Sequence, residues 1–300
     1  MSDYFLGTAT QLALAPTGTP LAEFPTAVEF LRESIRRECE WLSTAGLRGT
    51  RGHPAERSRP GPSVVRGELV LHPTGPLLAH LWPLILGSVP TPPAVPTAAT
   101  TFRPTESLPA FDLLLDRGPR RFVYRHCLVD RAVLRGRAGQ LLELKLEVIG
   151  REEELSTEPF PPLAPGRDSP YVFHDGQLTW FEHLPPFVEC ELTVHNALEV
   201  QWFNSATPGA IQPIDRQVTL ACTVPWGTTQ AGLYRRGGNE PGRAVLQFTN
   251  GTSQVRCELP RLQVHDRTPV VGGRGELLLA LFARARTTAD QPELLVTNTP

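Results

Sequence analysis

At 300 residues, with 40% apolar and 20% charged content, the chain is long enough for one or two packed domains and too apolar for wholesale disorder. Its formal net charge of −2 supplies no global field for nucleic acid or an anionic membrane. The 25 glycines and 31 prolines penalise helix interiors and favour turns, edges and short strands, which excludes an all-helical bundle.

Residues 1–15 lack the basic and apolar regions of a signal peptide, and no stretch holds 18 uninterrupted apolar residues, so a soluble chain not exported by a signal is expected. Cys39, Cys127, Cys190, Cys222 and Cys257 are scattered without metal-ligand spacing, which fits small buried thiols in a reducing cytoplasm. Lys145 is the single lysine beside 28 arginines, a skew of genome composition and not of chemistry.

In chain order, residues 27–42 match both a helix and a strand. A strand from Ser34 onward is favoured because this segment occupies the place that the clear strand at 189–195 holds in the second half. The stretch 48–61 carries Arg48, Arg51, Arg57 and Arg59 with little apolar content and reads as an exposed, mobile loop. A strand near 65–71 follows, then an amphipathic helix with Leu77, Leu78, Leu81, Trp82 and Ile85 on one stripe, ended by Gly87. The Pro-rich stretch 89–109 reads as a long excursion.

The clearest strand is 141–149, where Leu142, Leu144, Leu146 and Val148 alternate with Glu143, Lys145 and Glu147. Glu152, Glu153 and Glu154 are expected to solvate its end, with a metal site as the weaker alternative. Segment 158–170 reads as a linker. Beyond it, Asp175-Gly176 predicts a hairpin between 171–173 and 178–180, and Asn250-Gly251 another between 244–249 and 253–259. Alternation predicts strands at 188–195 and 218–224, and residues 228–236 form a weaker helix candidate ended by Gly237-Gly238.

The halves resemble each other. A shift of 136 aligns Asp130-Arg131 with Asp266-Arg267, Gly136 with Gly272, Gly139 with Gly275 and Leu141-Leu142 with Leu277-Leu278. This predicts a duplicated small β domain, with boundaries at 1–157 and 171–300 around the linker 158–170. The halves carry formal charges of +3 and −5 if divided after residue 150.

No nucleophile elbow, zinc-helix, phosphate-loop or dinucleotide signature appears in its required context. Gly272-Gly273-Arg274-Gly275 precedes a strand-like segment and reads as a turn, and His126 and His195 read as strand-face residues. For the arginine loop a contact with carboxylates of a neighbouring protein is favoured. Nucleic acid would call for interleaved aromatics, and an idle loop is the plain alternative.

Leu47-Arg48-Gly49-Thr50-Arg51, Glu56-Arg57, and Gly67 to Thr74 leading into the Leu-rich helix resemble the first half of phage tail tube proteins. Gly139-Gln140-Leu141 through Gly150, Pro170 to Phe173, Phe203-Asn204-Ser205, Asp215-Arg216, Thr249-Asn250-Gly251 and Thr268 through Glu276 are similar to the family in the same order, over roughly residues 30–297. The resemblance implies a mainly β fold of two tandem tail-tube-type antiparallel β-sandwich or barrel domains, each with one short α-helix. It implies a non-enzymatic structural virion protein without cofactor, whose stacked rings form the tail tube that conducts dsDNA. Its partners would be further copies of itself, the tape-measure protein, and tail terminator and tail-tip proteins, with DNA only in transit and no membrane. Assembly would take place in the host cytoplasm. Rings of three chains with pseudo-sixfold symmetry are expected, and rings of six are the alternative. The arginine loop, with Arg48, Arg51, Arg57 and Arg59, and its counterpart at 199–215, with Trp202, Phe203 and Asn204, would touch the adjacent ring. A tail-completion or injection-system tube protein would share these features. A β-sandwich ligand-binding module is a more distant alternative, for which Trp180, Phe181 and Trp202 would be the platform.

Overall fold

The protein was described from a computed structural model covering residues 4–87, 99–234, 242–251, 253–265 and 267–300. It is a mainly β protein, 48% strand, built from antiparallel sheets packed as a sandwich, with no closed barrel among the described residues. The first ten strands are β1 (Gln11–Pro16), β2 (Thr26–Ala27), β3 (Arg32–Glu33), β4 (Arg36–Ser43), β5 (Ser58–Leu71), β6 (Thr100–Phe102), β7 (Phe111–Asp116), β8 (Arg121–Arg137), β9 (Glu143–Gly150) and β10 (Glu152–Ser156), with helix α1 (Gly75–Leu86) after β5. The remainder are β11 (Gly176–Trp180), β12 (Glu189–His195), β13 (Leu198–Gln201), β14 (Ala210–Pro213), β15 (Gln217–Pro225), β16 (Ala244–Asn250), β17 (Ser253–Leu259), β18 (Leu262–His265), β19 (Leu278–Ala285) and β20 (Leu295–Thr299).

Strand β8 organises the first half because it is too long for one sheet and bends. Its first part pairs with β7 on one side and β10 on the other, and its second part with β12 and β9. The bend lies at His126, whose φ is +51°, where the β7 register slips. Buried Asp112 on β7 fastens it: one carboxylate oxygen accepts from Thr17 Oγ1 at 2.6 Å and His126 N–H at 2.9 Å, the other from Arg125 Nη1 at 2.9 Å and Gly18 N–H at 3.2 Å. One layer therefore runs β1-β7-β8-β10 and the other β8-β9-β5-β4.

The second half repeats this order. One layer runs β11-β16-β17-β20 and the other β18-β19-β15-β12, the latter joined to β8 by seven β12–β8 residue pairs. Eight strands, β18-β19-β15-β12-β8-β9-β5-β4, thus form one continuous run. Leu144, Leu146, Leu192, Leu220, Leu281 and their neighbours turn inward from it into one core that also takes Trp82 and Trp180. At about 1.5–3 kcal/mol for each large apolar side chain buried, this core is the main stabilising contribution.

Helix α1 forms where its pattern predicts. Thr74 caps it by accepting from Leu77 N–H, Gly87 closes it in the left-handed conformation, and Leu78, Leu81, Trp82 and Ile85 are buried. Gly87 is required twice over, since a Cβ there would sit 2.1 Å from the Ser107 carbonyl oxygen.

Several expectations need correction. Asp175-Gly176 makes no hairpin: Phe173–Asp175 is a 3-10 turn whose Asp175 carboxylate accepts from Val172 N–H, and β11 pairs with β16. Gly176 is there because the Phe248 ring packs where a Cβ would stand. The helix candidate at 228–236 is only a 3-10 turn, Gln230–Leu233, and residues 235 and 236 lie outside the described residues. Within the Pro-rich stretch 89–109, β6 forms and pairs with β20, while 89–98 lies outside the described residues. Glu152, Glu153 and Glu154 belong to β10 and do not merely trail β9. Four cysteines are buried, with burial pushing the Cys190 and Cys257 thiols up to about 12, but Cys39 is exposed. Asn250-Gly251 does make its hairpin, with Gly251 at φ +59°.

Candidate assembly surfaces

Two hairpin arms rise from the eight-stranded run. The first is the outer part of β4 and β5, with residues 44–57 as its tip. Strand β4 forms there because Arg36–Ser43 can ladder to β5 in register, apart from a bulge between Cys39 and Trp41. Among the described residues its other edge pairs with no strand, and all eight of its residues are exposed. The second arm is the β13–β14 ladder, set off from β12 by Ala197 at φ +45°. The arms meet where Ser63 N–H donates to the Ala206 carbonyl at 2.8 Å, beside Arg151 Nε donating to the Pro208 carbonyl at 2.9 Å.

The anticipated contact residues divide between these arms. Arg48 lies at the first tip, where Nη2 donates to Thr44 Oγ1 and carbonyl at 2.6 and 3.1 Å. Arg51 is exposed, Arg57 is exposed on a 3-10 turn, and Arg59 lies within β5 opposite Leu42, so the stretch 48–61 is not all loop: its last residues are strand. Among the described residues Arg51, Arg57 and Arg59 make no ion pair, leaving three guanidinium groups facing solvent. Trp202, Phe203 and Asn204 are exposed at the second tip, the Phe203 ring folding over Gly209.

Sequence reasoning missed the apolar part of this surface. Trp41 is 67% exposed and Leu42 56%, and Leu47 in the tip of the same arm is fully exposed. The signal was present: two large apolar residues in succession, Trp41-Leu42, break the alternation of an ordinary half-buried strand. Trp180, by contrast, is wholly buried and forms no platform.

Part of the wet face of the eight-stranded run is charge-paired. Glu189 accepts from Arg135 and Arg137, which holds its carboxyl below the usual range, the Arg135 hydrogen bond contributing most. Lys145 bonds Glu68 at 2.7 Å and Glu147 at 3.0 Å, the Glu68 bond doing most to raise its pKa. No group of three or more histidines, cysteines or carboxylates among the described residues is placed to hold a metal, and no helix there is long and apolar enough to cross a membrane.

The structure is an antiparallel sandwich with exposed arms, an unpaired β4 edge and a partly charge-paired wet face. The family model of the phage tail tube protein matches residues 7–289, and the chain belongs to that family, which is one of structural virion proteins. Among curated proteins none matches the chain.

Proposed function

We propose that the chain polymerises as stacked rings into the hollow tube of a phage tail, the conduit for dsDNA on ejection, and does so without catalysis or cofactor. The observation that carries this reading is the eight-stranded run made of two like four-stranded sets side by side, with β12 joined to β8 inside and β4 and β18 left at its two ends. Such a sheet can add copies at both ends until the circle closes.

Each ring holds three chains in pseudo-sixfold arrangement, with residues 1–157 and 171–300 each filling one place and 158–170 joining them. Three chains give a strand circle of about 115 Å circumference and about 37 Å backbone diameter before tilt widens it. The wet face lines the lumen, where the ion pairs of Arg135, Arg137 and Lys145 limit the holding of phosphates by counterion release. The arms carry Arg48, Arg51, Arg57, Arg59, Trp202, Phe203 and Asn204 toward the next ring. The tape-measure protein fills the lumen before DNA, tail-tip and terminator proteins close the ends, and assembly takes place in the host cytoplasm before the tube becomes part of the virion tail.

Negative-stain images of concentrated protein, with a tail-tip complex as nucleus where needed, are expected to show stacked rings. A chain that remains monomeric at every concentration, nucleated or not, would overturn the reading.

A further inference from the structure

The two four-stranded sets correspond residue by residue. Leu78 N–H donates to the Thr74 carbonyl and Ala231 N–H to that of Gly227, both at 2.9 Å, which equates β5 and the turn after it with β15 at an offset of 153. Leu31 N–H donates to the Val70 carbonyl at 2.8 Å and Val188 N–H to that of Thr223 at 2.9 Å, which equates the β3–β4 edge with β12 at an offset of 157. The β5–β9 and β15–β19 registers then equate β9 with β19 at 135, and the β8–β9 and β18–β19 registers equate β8 with β18 at 135 before the β8 register shift between Val129 and Arg131 and at 134 beyond it. An offset of 136 would instead set buried Leu142 against partly exposed Leu278.

In this correspondence 131–137 of β8, which pair with β12, match 265–271. Residues 267–271 run as an open segment beyond β18, with Val270 and Val271 79% and 78% exposed. The match of β12 is the β3–β4 edge, which pairs with β5 and with no strand on its other side. The chain thus carries one complete junction, β12 with β8, and the two unjoined halves of a second.

We infer that residues 267–271 of one chain add antiparallel to residues 32–36 of the next, in the register copied from β12 and β8, so that Ile35 meets Thr268 and Glu33 meets Val270. The inference rests on the ring reading given above and assigns its chain-to-chain seam. Ala138 N–H to the Val188 carbonyl and Asn196 N–H to that of Asp130 frame the internal junction, so alternate residues between 188 and 196 turn their backbone groups toward β8. The corresponding groups are those of Glu33 and Ile35 on one chain and of Thr268 and Val270 on the other. Pro269 falls between them, where the seam asks for no N–H.

In the single chain this edge is capped. Ile35 N–H donates to Glu33 Oε2 at 2.8 Å, and the Ile35 carbonyl accepts from Tyr124 Oη at 2.9 Å and Arg117 Nη2 at 2.7 Å. On pairing, Ile35 N–H exchanges the Glu33 carboxylate for the Thr268 carbonyl of the next chain, and the Ile35 carbonyl exchanges Arg117 Nη2 for Thr268 N–H, so Arg117 and Glu33 have to swing off the buried Ile35 backbone as the strand adds. Until then the cap keeps an otherwise open edge from pairing indiscriminately.

The seam places Arg36 opposite Arg267 in a non-hydrogen-bonded pair, with Cα atoms about 4.5 Å apart, within disulfide reach. The two positions lie near opposite ends of the eight-stranded run in a single chain, about 30 Å apart, so a bond between them has to join different chains. In a Cys39→Ser background, Arg36→Cys with Arg267→Cys is expected to cross-link most of the assembled protein into closed oligomers under mild oxidation. Arg36→Cys with Val271→Cys, four residues out of register, is expected to give at least tenfold less. Tubes seen by electron microscopy without the Arg36–Arg267 cross-link, or with the out-of-register pair favoured, would overturn the seam while leaving the tube reading intact. Failure of the parent and both variants to assemble in any form would overturn both.

Discussion

Asp112 illustrates how a single residue sets the shape of a layer. Burial alone would oppose its ionisation, but the hydrogen bonds from Thr17, His126 N–H, Arg125 and Gly18 N–H outweigh it and hold the carboxyl below its ordinary value of 3.8. A depressed folded-state pKa contributes stability that is fully present above the unfolded value and is lost as pH falls through the folded one. Acid titration of unfolding is therefore expected to show a loss beginning below about pH 4 that Asp112→Asn removes. Asp112→Ala is expected to cost about 2–4 kcal/mol in denaturant midpoint measurements, because it strips Arg125 and two backbone N–H groups of their shared acceptor. Gly67 acts by a different route: a Cβ there would stand 2.4 Å from Ile35 Cα, backbone against backbone. Gly67→Ala is expected to prise the β3–β4 edge from β5, read as faster hydrogen exchange at Ser34 N–H, which bonds the Glu68 carbonyl.

Among the elements, the first arm joins exposed apolar residues to unpaired cations, a combination suited to a partner surface with both apolar ground and carboxylates. Replacing Arg51, Arg57 and Arg59 together by Ala is expected to leave the circular dichroism and melting temperature within error while stopping ring stacking in negative stain. Tubes that form normally but no longer bind DNA would move the arm to a nucleic-acid role. Legibility in the sequence tracked burial on two faces. Strands β9, β12 and β15 have one wet face, alternate, and were readable from Leu142 to Val148 and their like. Strands β1 and β7 are covered on both faces, since Phe160 and Leu163 lie against the outer side with Ala13, Ala15 and Leu114, and so lose their alternation. The arginines of the arm were legible as a charge cluster. Trp41 and Leu42 were legible only as a break in alternation and not as surface, because apolar residues in a strand look the same whether a core or another molecule covers them.

For the whole molecule, the halves share one core and one continuous sheet, so in the proposed ring each chain would be added as a single preformed unit. Native mass spectrometry of solubilised rings is expected to give three copies of the 33.0 kDa chain. Six copies would mean that both halves together fill one place. Opposite formal charges of the halves favour alternation around the circle, although salt screens such contacts and strand pairing supplies most of the association free energy.

The two arms are unlike, and this fixes how rings can sit on one another. The first is a direct extension of β4 and β5, which reach Ser43 and Ser58, while the second is a separate four-pair ladder broken from β12 at Ala197. Around a ring of three chains, long and short arms alternate, so a sixty-degree rotation sets long arms where short ones belong. Only rotations by a third of a turn restore the fit. With three chains to a ring, as proposed, a tube of this chain is expected to have threefold and not sixfold helical symmetry. Its diffraction is expected to show layer lines that a six-start lattice forbids, their weakness reporting how nearly the two halves mimic each other.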